Sequence, residues 1–135
     1  MIIKTTDNKK SIDVGTQDMF FSLYSTIKVR LREKFVSIEN AMTFLKTGKC
    51  NHEVALSVAR EFNLIRDYLS GIALSDLVYD MRDVSKKAPW INNISPVITS
   101  CGNLFITKDG KDTLYEIVAI MTYAYYEKVN VEIEK

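Results

Sequence analysis

One histidine, two cysteines, two prolines and five glycines among 135 residues leave little material for the commonest reactive centres. His52 is the only imidazole, and with Cys50 it forms a C-x-H pair to which Cys101 adds one further ligand type. Structural zinc sites draw four ligands from paired short spacings, so a metal is not expected. A serine or cysteine nucleophile needs a base oriented by a third group, and no G-x-S-x-G elbow accompanies His52. Cys101, in TSCGN, has the look of a reactive thiol, although a buried cysteine is equally a small core residue. Gly48, Gly71, Gly102 and Gly110 stand isolated, which removes the glycine-rich phosphate loops. Asp109-Gly110-Lys111-Asp112 lacks the ligand spacing and closing glutamate of a calcium loop and reads as a turn. Carboxylates are plentiful, but none sits in a motif that would tune it for acid–base work. No cofactor is implied.

Charge of one sign is also missing. Eighteen Lys and Arg balance seventeen Asp and Glu, so no general basic field exists to attract nucleic acid. No window approaches the roughly 20 apolar residues of a membrane helix. The opening MIIKTTDNKK has no apolar core of the secretory kind. Two cysteines without an export signal read as reduced thiols, and the expected location is the cytoplasm.

What is present is ordinary globular material, 47% apolar and 26% charged, enough for a core without disulfides or metal. A short strand is expected at residues 2–4, with residues 4–16 as a polar loop. Phe20, Leu23, Tyr24, Ile27 and Leu31 recur at spacings of three and four and predict a helix from Gln17. Lys28, Arg30, Arg32 and Lys34 gather at its end, where cations suit the helix dipole. A shorter helix over 38–46 stops before Gly48. Asn51 is the N-cap of the clearest helix, with Val54, Ala55, Val58, Phe62, Ile65 and Leu69 in helical register and Gly71 as its stop.

A fourth helix is expected from Ser75, with Leu77, Val78 and Met81 inward. Residues 104–107 read as a short strand and Asp109-Gly110 as its turn. Thr113 with Glu116 forms a capping box for the last long helix. Val129, Val131 and Ile133 alternate with polar residues as a closing strand. The expected fold is α+β and predominantly helical, about five helices with a small antiparallel sheet near the termini. It forms one domain over residues 1–135. Pairing of the terminal strands with the 104–107 strand would complete the sheet.

Two features point to binding. On the expected fourth helix Asp76, Asp80 and Asp83 stand at i, i+4 and i+7, where like charges repel by about 0.2–0.5 kcal/mol per i,i+4 pair. Such a stripe is either a solvated face or a docking face for a basic partner. Trp90, the single tryptophan, follows in a loop. It either pins that loop to the core or anchors an interface.

The stretches EFNLIRDYLS (61–70), VYDMRDVSKKAPW (78–90) and NISPVITSCGNLFITKDGKDTLYEIVAIMTYA (93–124) resemble an immunity-protein family of bacterial polymorphic toxin systems, among them contact-dependent growth inhibition systems. The likeness is strongest from Val78 onward. It implies a cytoplasmic, non-enzymatic protein that binds one cognate toxin domain, a nuclease or other effector, and neutralises it stoichiometrically. It transfers no catalytic residue. The expected partner-binding residues are Asp76, Asp80, Asp83 and Trp90; neither nucleic acid nor membrane is an expected partner, and the oligomeric state stays open. The alternatives from the residues are a small enzyme or thiol-dependent factor using Cys101 and His52, and a nucleic-acid site on Lys28, Arg30, Arg32 and Lys34. The spacing of those four cations spreads them around a helix, which weakens the last.

Overall fold

The computed structural model describes residues 1–135. Its four-stranded antiparallel sheet is assembled largely from the two ends of the chain. Strand β1 (Ile2–Thr5) pairs with β2 (Ser11–Asp13) on one side and with β4 (Val131–Glu134) on the other, while β3 (Lys49–Cys50) extends β4, giving the order β2-β1-β4-β3. Ile3 faces Ile12 and Ile133 across the register. Period-two alternation buries Ile3 and Thr5 completely, while Lys4 stays on the outer face, 2.8 Å from Glu134. The turn between β1 and β2 is tied inward. Asp7 accepts hydrogen bonds from Thr5 Oγ1 at 2.6 Å, from the Lys9 N–H at 3.0 Å and from Tyr123 Oη at 2.9 Å. The Thr5 hydroxyl, then the Lys9 amide, hold its carboxyl below the usual range.

Helix α1 (Gln17–Arg30) is capped by Thr16, whose hydroxyl accepts from Met19 N. A 3-10 helix (Arg32–Ser37) leads into α2 (Glu39–Thr47). No side chain of its own caps α2; instead Glu61 reaches across, accepting from Ala41 N at 3.0 Å and Asn40 Nδ2 at 2.9 Å. This explains a carboxylate left only 8% exposed. Gly48, at φ 74°, ends α2 as a left-handed residue and passes its carbonyl to Ile133 N in the sheet. Asn51 then caps α3 (His52–Ser70), and α4 (Thr113–Glu127) packs against it. Phe62, Ile65 and Leu69 of α3 meet Leu114, Ile117 and Met121 of α4 in a core that reaches from Ile3 to Val131. Phe44 of α2 meets Phe62 edge to face at 6.4 Å. Strands β1, β2 and β4 lie against α4.

The fold is thus α+β and mainly helical, with five helical segments of six residues or more and the sheet near the termini. Several local expectations are corrected. Residues 11–13 form a strand because Ile12 finds Ile3 opposite it. The 104–107 strand shrinks to a single bridge between Ile106 and Asp112 and does not join the sheet. Asp112, one residue before Thr113, caps α4 by accepting from Tyr115 N.

The main departure is the helix expected from Ser75. Only a 3-10 turn (Leu74–Asp76) forms, and residues 77–112 hold no further helix except the short Ile91–Asn93. Asp80 and Asp83 turn their carboxylates onto the backbone N–H groups two residues on, Arg82 and Ser85. This local alternative to helical bonding is the one that aspartate favours. Long-range bonds hold the rest. Cys101 N donates to Ile72 O at 3.0 Å, and Gly102 lies so close to Ser70 that a Cβ there would fall 2.8 Å from its backbone.

Candidate functional site

On α1, Ser22, Ser25 and Thr26 share the face that turns inward and are fully buried. Their hydroxyls receive an extended piece of the 71–112 segment in place of apolar packing. Thr26 Oγ1 donates to Val78 O at 3.2 Å and accepts from Val78 N at 3.1 Å. Ser22 Oγ also donates to Val78 O, and Ser25 Oγ accepts from Met81 N at 3.1 Å. Arg30 Nε closes one end on Asp76 O at 2.8 Å, and Tyr79 Oη reaches Asp18 Oδ2 at 3.1 Å. With Val78 at 0% exposure, the segment is clamped along α1 as a strand would be along a sheet edge.

This clamp redistributes the acidic residues. Asp76, Asp80 and Asp83 do not share a helix face. Asp76 is exposed, with its carbonyl rather than its carboxylate engaged. Asp83 is exposed and accepts from Ser85 Oγ at 2.6 Å. Asp80 is only 8% exposed and faces its own partner: Arg82 Nε and Nη2 each donate to its carboxylate at 2.9 Å, and the Arg82 N–H adds a third bond. The Arg82 guanidinium, with that backbone donor, pulls the Asp80 carboxyl down to about 2. Arg82 lies at 5.0 Å over the ring of Phe21 and is itself held firmly protonated.

Trp90 is half-buried, packs against the main core and meets Tyr79 edge to face at 6.4 Å. Lys86 sits 5.7 Å from the centre of the Tyr79 ring. Burial, with Asp18 close to its hydroxyl, raises the Tyr79 phenol. An open groove of about 470 Å³ begins beside Arg82, floored by Phe20, Phe21, Tyr24 and Leu45. Tyr79 and Phe21 are the members of this surface that spacing alone did not single out. The available signal was the triplet Ser22, Ser25 and Thr26, three hydroxyls placed where an amphipathic helix normally turns apolar side chains.

His52 and Cys101 are not brought together. His52 opens α3 and Cys101 bonds just beyond its far end, so the 19-residue helix separates them by about 27 Å. Burial pushes both thiols, Cys50 and Cys101, up to about 11. No three His, Cys, Asp or Glu side chains gather as metal ligands. No helix is long and apolar enough to cross a membrane.

Along this segment the Asp80–Arg82 pair and the edge-to-face Tyr79–Trp90 pair lie beside the exposed Asp76 and Asp83. The model of the immunity protein 70 family matches residues 3–133, and the chain belongs to that family of immunity proteins. No curated protein and no solved structure matches it.

Proposed function

We propose that this protein is one cytoplasmic domain that binds a single cognate toxin domain, a nuclease delivered by contact-dependent growth inhibition, and neutralises it stoichiometrically and without catalysis. The observation that carries this reading is the family match across nearly the whole chain. Covering the toxin's active site, or the surface on which it takes its substrate, is the simplest form of such inhibition.

The contact surface in this reading is the clamped segment with its loop. Asp76 and Asp83, exposed and without a cationic partner, supply attraction toward a basic cleft. Asp80 contributes by fixing Arg82, and Trp90 with Tyr79 supplies the apolar anchor. A preformed surface loses little freedom on binding, which suits tight stoichiometric inhibition.

The test is co-expression with the product of the gene immediately upstream, one partner tagged. The expected result is toxicity of the upstream product alone, rescue by this protein and a stable 1:1 complex. Absence of both complex and rescue would overturn the proposal. Within a complex, Asp76→Asn with Asp83→Asn is expected to slow association and flatten its salt dependence.

A further inference from the structure

Residues 28–37 hold four cations, Lys28, Arg30, Arg32 and Lys34, against the single carboxylate of Glu33. The chain as a whole carries a net charge of only +1, so this end of the molecule is a local excess and the remainder holds more carboxylates than cations. None of the four cations forms a salt bridge. Three of them, Lys28, Arg30 and Lys34, are nevertheless held in place by neutral groups. Lys28 Nζ lies 5.9 Å from the Tyr24 ring centre and 5.7 Å from that of Phe35, and Lys34 Nζ lies 5.2 Å over Tyr68. Arg30 is fixed on a backbone carbonyl. A cation resting on an aromatic face or a carbonyl keeps its net charge, whereas one paired with a carboxylate loses it.

The same segment exposes apolar surface. The 3-10 helix (Arg32–Ser37) buries none of its residues, and Val36 at 87% is the most exposed large apolar side chain of the molecule. Across the break between α1 and this 3-10 helix Lys28 reaches the ring of Phe35, while Lys34 lies over Tyr68.

We infer that Lys28, Lys34, Phe35 and Val36 form a docking surface for a carboxylate-bearing face of the toxin, an inference that rests on the toxin-neutralising reading above. Ordered, unpaired cations around an apolar tip fit a protein face where acidic residues ring an aliphatic or aromatic patch. They do not fit single-stranded nucleic acid. The rings of Tyr24, Phe35 and Tyr68, on which bases would stack, already have lysine ammonium groups set against them. The surface adjoins the clamped segment at Arg30, which joins α1 to Asp76. The toxin's matching face is therefore of mixed sign, acidic opposite Lys28 and Lys34 and basic opposite Asp76 and Asp83.

The test uses the upstream-encoded polypeptide as probe, with association and dissociation followed across a sodium chloride series. Lys28→Glu with Lys34→Glu is expected to weaken binding by about tenfold or more, chiefly through association, and to flatten its salt dependence. Lys28→Gln with Lys34→Gln should give a smaller loss in the same direction, which covers the case of a charge-reversed variant that fails to fold. Val36→Ser should quicken dissociation, and Lys9→Glu, on the exposed β1–β2 turn, should change nothing. Wild-type binding with unaltered kinetics in both lysine pairs overturns this inference and leaves the toxin-neutralising reading intact. Absence of wild-type binding overturns both. Salt-sensitive binding of a labelled single-stranded RNA that the lysine variants abolish reassigns the surface to nucleic acid and overturns the inference.

Discussion

The frame of α3, α4 and the sheet differs from the 71–112 segment in what makes each of them ordered. In the frame, backbone groups satisfy one another in regular helical and strand ladders, and side chains are free to build the core. In the segment, order comes from distant partners: the α1 hydroxyls for Val78 and Met81, Ile72 for Cys101, and the close approach of Gly102 to Ser70. Both regions contain fully buried residues, Phe62 and Ile65 in one, Val78 and Cys101 in the other. Burial therefore does not distinguish them. The difference lies in the kind of partner: strand pairs such as Ile3 with Ile133 are backbone ladders however far apart in sequence, whereas Val78 and Met81 are held by side-chain hydroxyls of Ser22, Ser25 and Thr26. A surface made in this way is fixed without being regular, which suits recognition of one particular partner shape.

The strongest way to break the comparison is to remove what both regions share. Phe62 stands at the centre of α3, completely buried, against Phe44. Phe62→Ala is expected to cost about 3–5 kcal/mol, lowering the denaturant midpoint and releasing frame and segment in one transition. Two separate transitions would show that the segment unfolds independently of the frame.

A more selective change separates the regions. Thr26→Val keeps the shape of the side chain and removes a hydroxyl that serves both the N–H and the carbonyl of Val78. The buried N–H is left without a partner, at a cost of about 1–3 kcal/mol. The expected signature is faster hydrogen exchange at Val78 and Met81, with amides in the middle of α3 unchanged. Equal acceleration in α3 would mean that the clamp supports the whole fold.

The same distinction separates what the sequence reveals from what it conceals. Helix α3 was legible because Ala55, Val58, Phe62, Ile65 and Leu69 repeat at the helical period between a capping Asn51 and Gly71. Gly48 was legible as the stop of α2 and Gln17 as the start of α1, whereas the cap that Thr16 supplies was not read. The aspartates at 76, 80 and 83 mimic that periodicity, yet each has a nearer use that ends the helix before it starts: an Asx turn at Asp80 and Asp83, and a 3-10 turn at Asp76. Of the candidate residues, Trp90 was placed correctly in a loop; Arg82 was legible as a compensating charge for the aspartates, but its two-pronged bond to Asp80 was concealed because i,i+2 neighbours do not meet on a helix. Glu61 as the cap of α2 depends on α2 packing across α3 and leaves no signal in either stretch alone.

The smallest expected effect concerns Asp80 and is read from its pH dependence. Its carboxyl stands at about 2 in the folded protein, chiefly through the hydrogen bonds from Arg82, against an ordinary value of 3.8. Because the folded value is depressed, the folded state binds that proton less readily than the unfolded chain does. The pair's contribution is complete above pH of about 4 and is lost as pH falls through about 2. The exposure of the Arg82 side chain, 75%, keeps that contribution modest. Asp7 and Asp109 are also shifted down, through the hydroxyls of Thr5 and Thr107, but they remain in wild type and Asp80→Asn alike. The difference between the two melting curves therefore isolates Asp80: wild type should be the more stable at neutral pH, and the gap should close on acidification through that window. A gap that stays constant with pH would mean that the difference lies in the turn and that the charge of the ion pair adds nothing. Arg82 would then be positioned by its contact with Phe21, and the charge at Asp80 would serve only the partner.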